Sequence, residues 1–149
     1  MGPLNSKGRQ SGSVLVTVAI IMPLFILMLG FIADIGRAFT YRADLNKACM
    51  AAAEEAAKCI DMQIAMDEGR TVLDAGFKEV LAAYFESNIA QSRSLQIESL
   101  DYEIIDGKEN PKFIQVSSHA QVSCYFLKVV GINTIGISAY ANGRVRKIK

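Results

Sequence analysis

Residues 13–33 form an apolar run, SVLVTVAIIMPLFILMLGFIA, in which Ser13 and Thr17 carry the only polar side chains. At about 1.5 Å per helical residue the run spans roughly 31 Å, the thickness of a hydrocarbon core. A buried helix of a soluble domain is commonly shorter or polar on one side. A cleaved secretory signal has an apolar region of about 7–15 residues ending at small residues. This run is longer and continues into ADIGRAF, so it reads as a single transmembrane segment.

The charge balance narrows the partners. Sixteen Lys and Arg against 15 Asp and Glu leave a formal charge of +1, so no overall field draws the chain to nucleic acid. Lys7 and Arg9 precede the span while Arg37, Arg42 and Lys47 follow it, and this count alone does not orient it. The tail, residues 1–12, is too short to fold, so the working part of the protein lies after the span. Gly2 and Ser6 satisfy a loose myristoylation pattern, but one acyl chain adds little to a full span.

Helical periodicity continues past the lipid. Ile35, Ala38, Leu45, Ala48, Ala52, Ala56 and Ile60 recur at three- and four-residue steps, with charged residues largely between them. The first plausible stop is Gly69, suited to a left-handed cap. Residues 14–66 are thus expected to form one nearly continuous helix of about 80 Å, bent or locally opened at Pro23. Its alanine-rich stripe, in ACMAAAEEAAKC, is flat and narrow, and is expected to meet other chains or to lie along another element.

The second half has a different rhythm. Thr71 and Asp74 suggest a capped start for a second amphipathic helix, with Leu73, Phe77, Leu81, Phe85 and Ile89 on one face, ending near residues 88–91. In FIQVSSHAQVSCYF the period becomes two, which marks a half-buried strand. SLQIESLDYEII reads as its partner, with a bulge where the phase slips between Ile97 and Leu100. DGKENP is the loop between them, with Gly107 free to take positive φ and Pro111 at a strand start. After the turn LKVVGIN, Ile135, Ile137, Ala139 and Ala141 alternate with polar or small residues as a third strand. The expected fold class is α+β: a long N-terminal transmembrane and stalk helix, a second amphipathic helix and a small three-stranded antiparallel sheet. The expected division is a tail (1–12), a transmembrane segment (13–33), an alanine-rich stalk helix (34–69) and a head (70–149).

Residues that could carry chemistry are few. The single histidine, His119, falls on the polar side of its strand with no acid or cysteine at a catalytic spacing. Asp34 lies just past the apolar run beside Gly36 and Arg37, where an interfacial charge near its counter-ion outweighs an intramembrane proton relay. No phosphate loop, HExxH or nucleophile elbow occurs. The three cysteines lack CxxC spacing. Cys49 and Cys59 are about 15 Å apart along one helix, too far to bridge, and Cys124 sits on the apolar side of its strand. No cofactor, no metal and no enzyme activity is expected.

SGSVLVTVAIIMPLFILMLGFIADIGRAFTYRADLNKACMAAAEEAA, residues 11–57, resembles the N-terminal signature of the TadE/TadF/TadG-like proteins of the Flp (Tad) pilus, a branch of the type IV pilin superfamily. The parts that carry the resemblance are Gly12 before the apolar run, Pro23 within it, Gly36 and Arg37 at its exit, and the alanine-rich helix. The closing VSCYFLKVVGINTIGISAYANGRV is similar to the C-terminal strands of the shorter, TadE-like members. The resemblance implies a leader cut by a prepilin peptidase after Gly12, leaving Ser13 as the new N-terminus. It also implies a head outside the bacterial cytoplasmic membrane with the tail cytoplasmic. Its implied partners are other pilin-like subunits or pilus assembly proteins, met through the N-terminal helix, and its implied role is that of a minor pilin or pseudopilin. Where the family often carries Glu, five residues into the mature chain, this sequence has Thr17, which can bond its own helix's carbonyl. An uncut protein that stays in the membrane as an assembly platform fits the same residues. Without the resemblance, the features describe a generic single-pass membrane protein whose extracytoplasmic head binds a protein partner.

Overall fold

The computed structural model describes residues 7–89, 92–107 and 111–146, with side chains from Gly12 onward. The myristoylation pattern and the tip of the DGKENP loop lie outside the described residues. Helix α1 (Lys7–Ala56) is followed by α2 (Met62–Glu68), α3 (Phe77–Asn88), strands β1 (Leu95–Ile105) and β2 (Phe113–Ser123), a 3₁₀ turn (Leu127–Val130) and strand β3 (Thr134–Arg144). The strands form one antiparallel sheet in the order β1-β2-β3, with the helices on one face: an α+β fold.

Helix α1 is 50 residues long, about 75 Å at 1.5 Å per residue, and runs through Pro23 unbroken. It ends at Ala56 and does not continue to residue 66. The helical period persists to Ile60, but a side-chain cap and a backbone bridge redirect the chain. Asp61 turns out of the helix and caps α2, accepting from the N–H groups of Gln63 (3.0 Å) and Ile64 (3.2 Å). Ile60 pairs with Leu73 in an antiparallel bridge, fastened by Asp61 N–H to Val72 C=O and Asp74 N–H to Cys59 C=O. Gly69, at φ 64°, is the left-handed cap expected of it, but it closes α2 and not the stalk. Helix α3 likewise begins at Phe77, later than Thr71. Asp74 makes a local turn there, accepting from Gly76 N–H at 2.7 Å.

The alternation in β2 is the spine of the core. Ile114, Val116, Ser118, Ala120 and Val122 are buried, while His119 is exposed. Ile137, Ala139 and Ala141 of β3 join them, and opposite lie Leu45, Ala48, Cys49, Ala52, Ala53 and Ala56 of α1. The alanine stripe is therefore covered by the chain's own sheet, the second of the two fates its flatness allowed. Small side chains bring the backbones close together: a Cβ built on Gly143 of β3 would lie 1.9 Å from the carbonyl oxygen of Ala53. Phe77, Leu81 and Phe85 of α3 pack on the flank of α1, with Phe77 edge-on to Tyr102 at 5.4 Å.

The phase slip in β1 is a bulge between Ile97 and Ser99. It keeps Ile97 and Leu100 on the same face, opposite Ala120 and Ser118. Ser118, the one polar member of that buried row, is satisfied by donating its hydroxyl 2.7 Å to the carbonyl of Ser99, beside the bulge on β1.

Candidate functional site

Two stretches of α1 behave differently, and the boundary between them is the site. From Val14 to Ile32 the large apolar side chains stand clear of the rest of the protein: Leu15 is 73% exposed, Ile20 70% and Leu24 67%. Surrounding water would make this exposure unfavourable by about 25 cal/mol per Å². The helix is long and apolar enough to cross a membrane, and it fits a single-pass membrane protein. Among the described residues below Asp34 only Gly30 is buried; beyond it, the helix enters the head's core.

Gly12 and Ser13 lie in the helix near its start, and nothing approaches a Cβ built on Gly12 within 4 Å. Thr17 Oγ donates 2.9 Å to the Ser13 carbonyl, one turn back. Pro23 has no N–H to offer the carbonyl of Ala19. Gly36 faces open space, and its carbonyl accepts from Thr40 Oγ at 3.1 Å.

Asp34 is buried at 2% exposure, and its partners come from the far end of the sequence. The turn after β2 aims three successive backbone N–H groups at the carboxylate. Tyr125 N lies 3.0 and 3.1 Å from its two oxygens, and Phe126 N and Leu127 N each 2.8 Å from Oδ2. These donors are free because the opening residues of a 3₁₀ turn have no carbonyl behind them to bond. Arg37, one turn along α1, approaches Asp34 to 3.7 Å and lays its guanidinium over the Tyr125 ring, 4.1 Å from the centroid. Tyr125 OH and Ser94 Oγ share a hydrogen bond at 3.1 Å, and Tyr41 OH and Ser92 Oγ another at 2.9 Å. One turn toward the lipid end, Gly30 leaves room for Phe126: a Cβ there would come within 2.6 Å of the Phe126 Cβ and Cγ.

The arrangement is a clasp. It locks the β2–β3 turn onto the helix where the bare segment ends. Arg37 is Asp34's counter-ion as expected, but the backbone donors do most of the holding. Sequence reasoning missed them, since main-chain N–H groups leave no mark in a residue string. Phe126 beside Gly30 was missed as well; the Gly within an otherwise bulky run was its available signal.

The remaining candidates stay separate. Cys49, Cys59 and Cys124 are all unbridged. Burial pushes the Cys124 thiol above its ordinary value, with the Asp34 carboxylate adding to it. Burial also raises Cys59, helped by Asp74 and Glu55. Both are thereby kept as neutral thiols, poor nucleophiles. At the opposite end of the head a broad open groove of about 1190 Å³ is lined by residues of both charges, among them Glu54, Lys58, Arg144 and Arg146, together with Pro111 and Phe113.

Neither a curated protein nor a solved structure matches the chain. The family model described as TadE, TadE-like protein, matches residues 12–54, which take in the bare segment, the clasp on α1 and most of the alanine stripe, and over those residues the chain is similar to that family.

Proposed function

We propose that the protein is a pilin-like component, a minor pilin or pseudopilin, that helps assemble a Tad (Flp) pilus or a related secretion system. The observation that supports it most is the TadE-like match falling on one helix that is bare along its first half and is the spine of a folded head along its second. A pilin-type subunit needs such a division: an apolar rod for lateral packing in lipid or in a filament, and a head that travels with it. In this reading residues 1–12 are a cytoplasmic leader, a prepilin peptidase cuts between Gly12 and Ser13, and the head lies outside the bacterial cytoplasmic membrane. The TadE-like family is not an enzyme family, which supports an assembly role.

The cut lies inside helix, so cleavage requires the first turns of α1 to unwind in the peptidase. Helix ends fray readily, and Gly12 weakens the turn by about 1 kcal/mol relative to Ala. Mass spectrometry of the protein from cells with and without the peptidase tests the reading. A mature N-terminus at Ser13 that depends on the peptidase is the expected result, and Gly12→Val should abolish it. A retained Met1 or Gly2 in both strains would refute processing and leave a membrane-resident assembly platform.

A further inference from the structure

The turn after β2, residues 125–132, is unusual for a surface loop. Leu127 is its buried anchor at 7% exposure, yet Tyr125 (57%), Phe126 (49%), Val129 (74%), Val130 (61%) and Ile132 (46%) all face outward. Scattered apolar side chains on a surface require no explanation, but five within eight consecutive positions make a contiguous patch. Its position supplies the reason. The Asp34 clasp fixes the turn to the first residue after the apolar run, and Phe126 packs against Gly30, one helical turn or about 6 Å nearer the lipid. The patch is thus continuous with the bare face of the span.

We propose that this turn is a second membrane contact: Val129 and Val130 enter the boundary between acyl chains and headgroups beside α1, and the occupant of the patch is bilayer lipid. The flanking residues match that depth. Tyr125 presents a ring with a polar tip, as side chains at the membrane–water interface do, and Lys128 can reach past the valines to headgroup phosphates. The contact depends on the span being in lipid but not on pilus assembly or on cleavage.

The test uses the full-length chain carrying Cys59→Ser, with one added cysteine labelled by an environment-sensitive fluorophore. Labels are placed at Val129→Cys, at Leu24→Cys inside the span and at Asn142→Cys on the exposed side of β3. Each protein is reconstituted into vesicles of brominated phosphatidylcholine, and circular dichroism confirms that it is folded. The proposal expects the Val129 label to lose emission to the brominated chains as the Leu24 label does, and to resist aqueous iodide. Iodide quenching of Val129 equal to that of Asn142 would overturn it. So would shielding from both quenchers, which would mean that a second copy or another protein covers the turn. If the Leu24 label also escapes the brominated lipid, the span itself is wrong and the proposal falls with it.

Discussion

Replacing Asp34 by Ala removes the acceptor for three backbone N–H groups at once. The carboxylate is 1% exposed, so water does not take its place while the turn stays docked. A buried donor left unsatisfied costs about 1–3 kcal/mol, which for three donors brackets about 3–9 kcal/mol. The upper part of that range is never reached, because the turn can lift away and hydrate its N–H groups. The loss then becomes that of the docking contacts, about 3 kcal/mol, against a typical domain stability of 5–15 kcal/mol. Arg37 contributes less: at 3.7 Å and with 29% of its side chain exposed, its pairing with Asp34 is worth about 1 kcal/mol or below. Asp34→Ala should therefore be clearly more damaging than Arg37→Gln, with Asp34→Asn between them, since one amide oxygen still accepts but the NH₂ opposes a donor. The assay is urea unfolding of the full-length protein in detergent micelles, with amide hydrogen exchange followed for the peptide containing residues 125–127. The clasp predicts that Asp34→Ala lowers the midpoint and that those amides lose protection before the sheet does. A change in stability below about 0.5 kcal/mol with unaltered exchange at 125–127 would refute the reasoning.

Gly143→Ala should be among the most disruptive single-methyl additions to the head, costing about 3 kcal/mol or more, because the new Cβ meets the Ala53 backbone, which cannot rotate away; thermal unfolding checks it. Ser118→Ala removes the hydroxyl that donates to the Ser99 carbonyl and should cost about 1 kcal/mol by the same measurement. Iodoacetamide should modify the partly exposed Cys59 only at higher pH than an unperturbed thiol: its raised value lowers the thiolate fraction at any given pH, so the rate profile moves upward, as peptide mapping can follow.

What the sequence makes legible is whatever depends on near neighbours along the chain. Alternation in residues 114–122 placed β2 and its buried row, and the slip between Ile97 and Leu100 located the bulge, because the period of two is enforced by the pleat itself. The end of α1 was misread because the apolar rhythm runs on through Ile60 while the deciding residue, Asp61, acts as a cap rather than as a member of the stripe. A cap signal inside a helical pattern is weak until something pulls the chain aside, and here that is the Ile60–Leu73 bridge. Asp34 could be singled out, but its holders could not. Its three donors are backbone groups more than ninety residues away, supplied by a turn whose composition says nothing of where its N–H bonds point. The single serine in the buried row of β2 could not be accounted for from composition either, since its reason, a hydrogen-bond acceptor on the neighbouring strand, is tertiary.

Because α1 passes from the span into the core of the head without a linker, and is clasped just where it does so, the protein has no swivel at that boundary. A turn of the rod about its long axis rotates the sheet through the same angle, and a tilt of the rod swings the distal groove sideways over several nanometres of lever arm. Whatever grips the bare helix inside a membrane or a bundle of such helices thereby also sets the heading of everything attached above it.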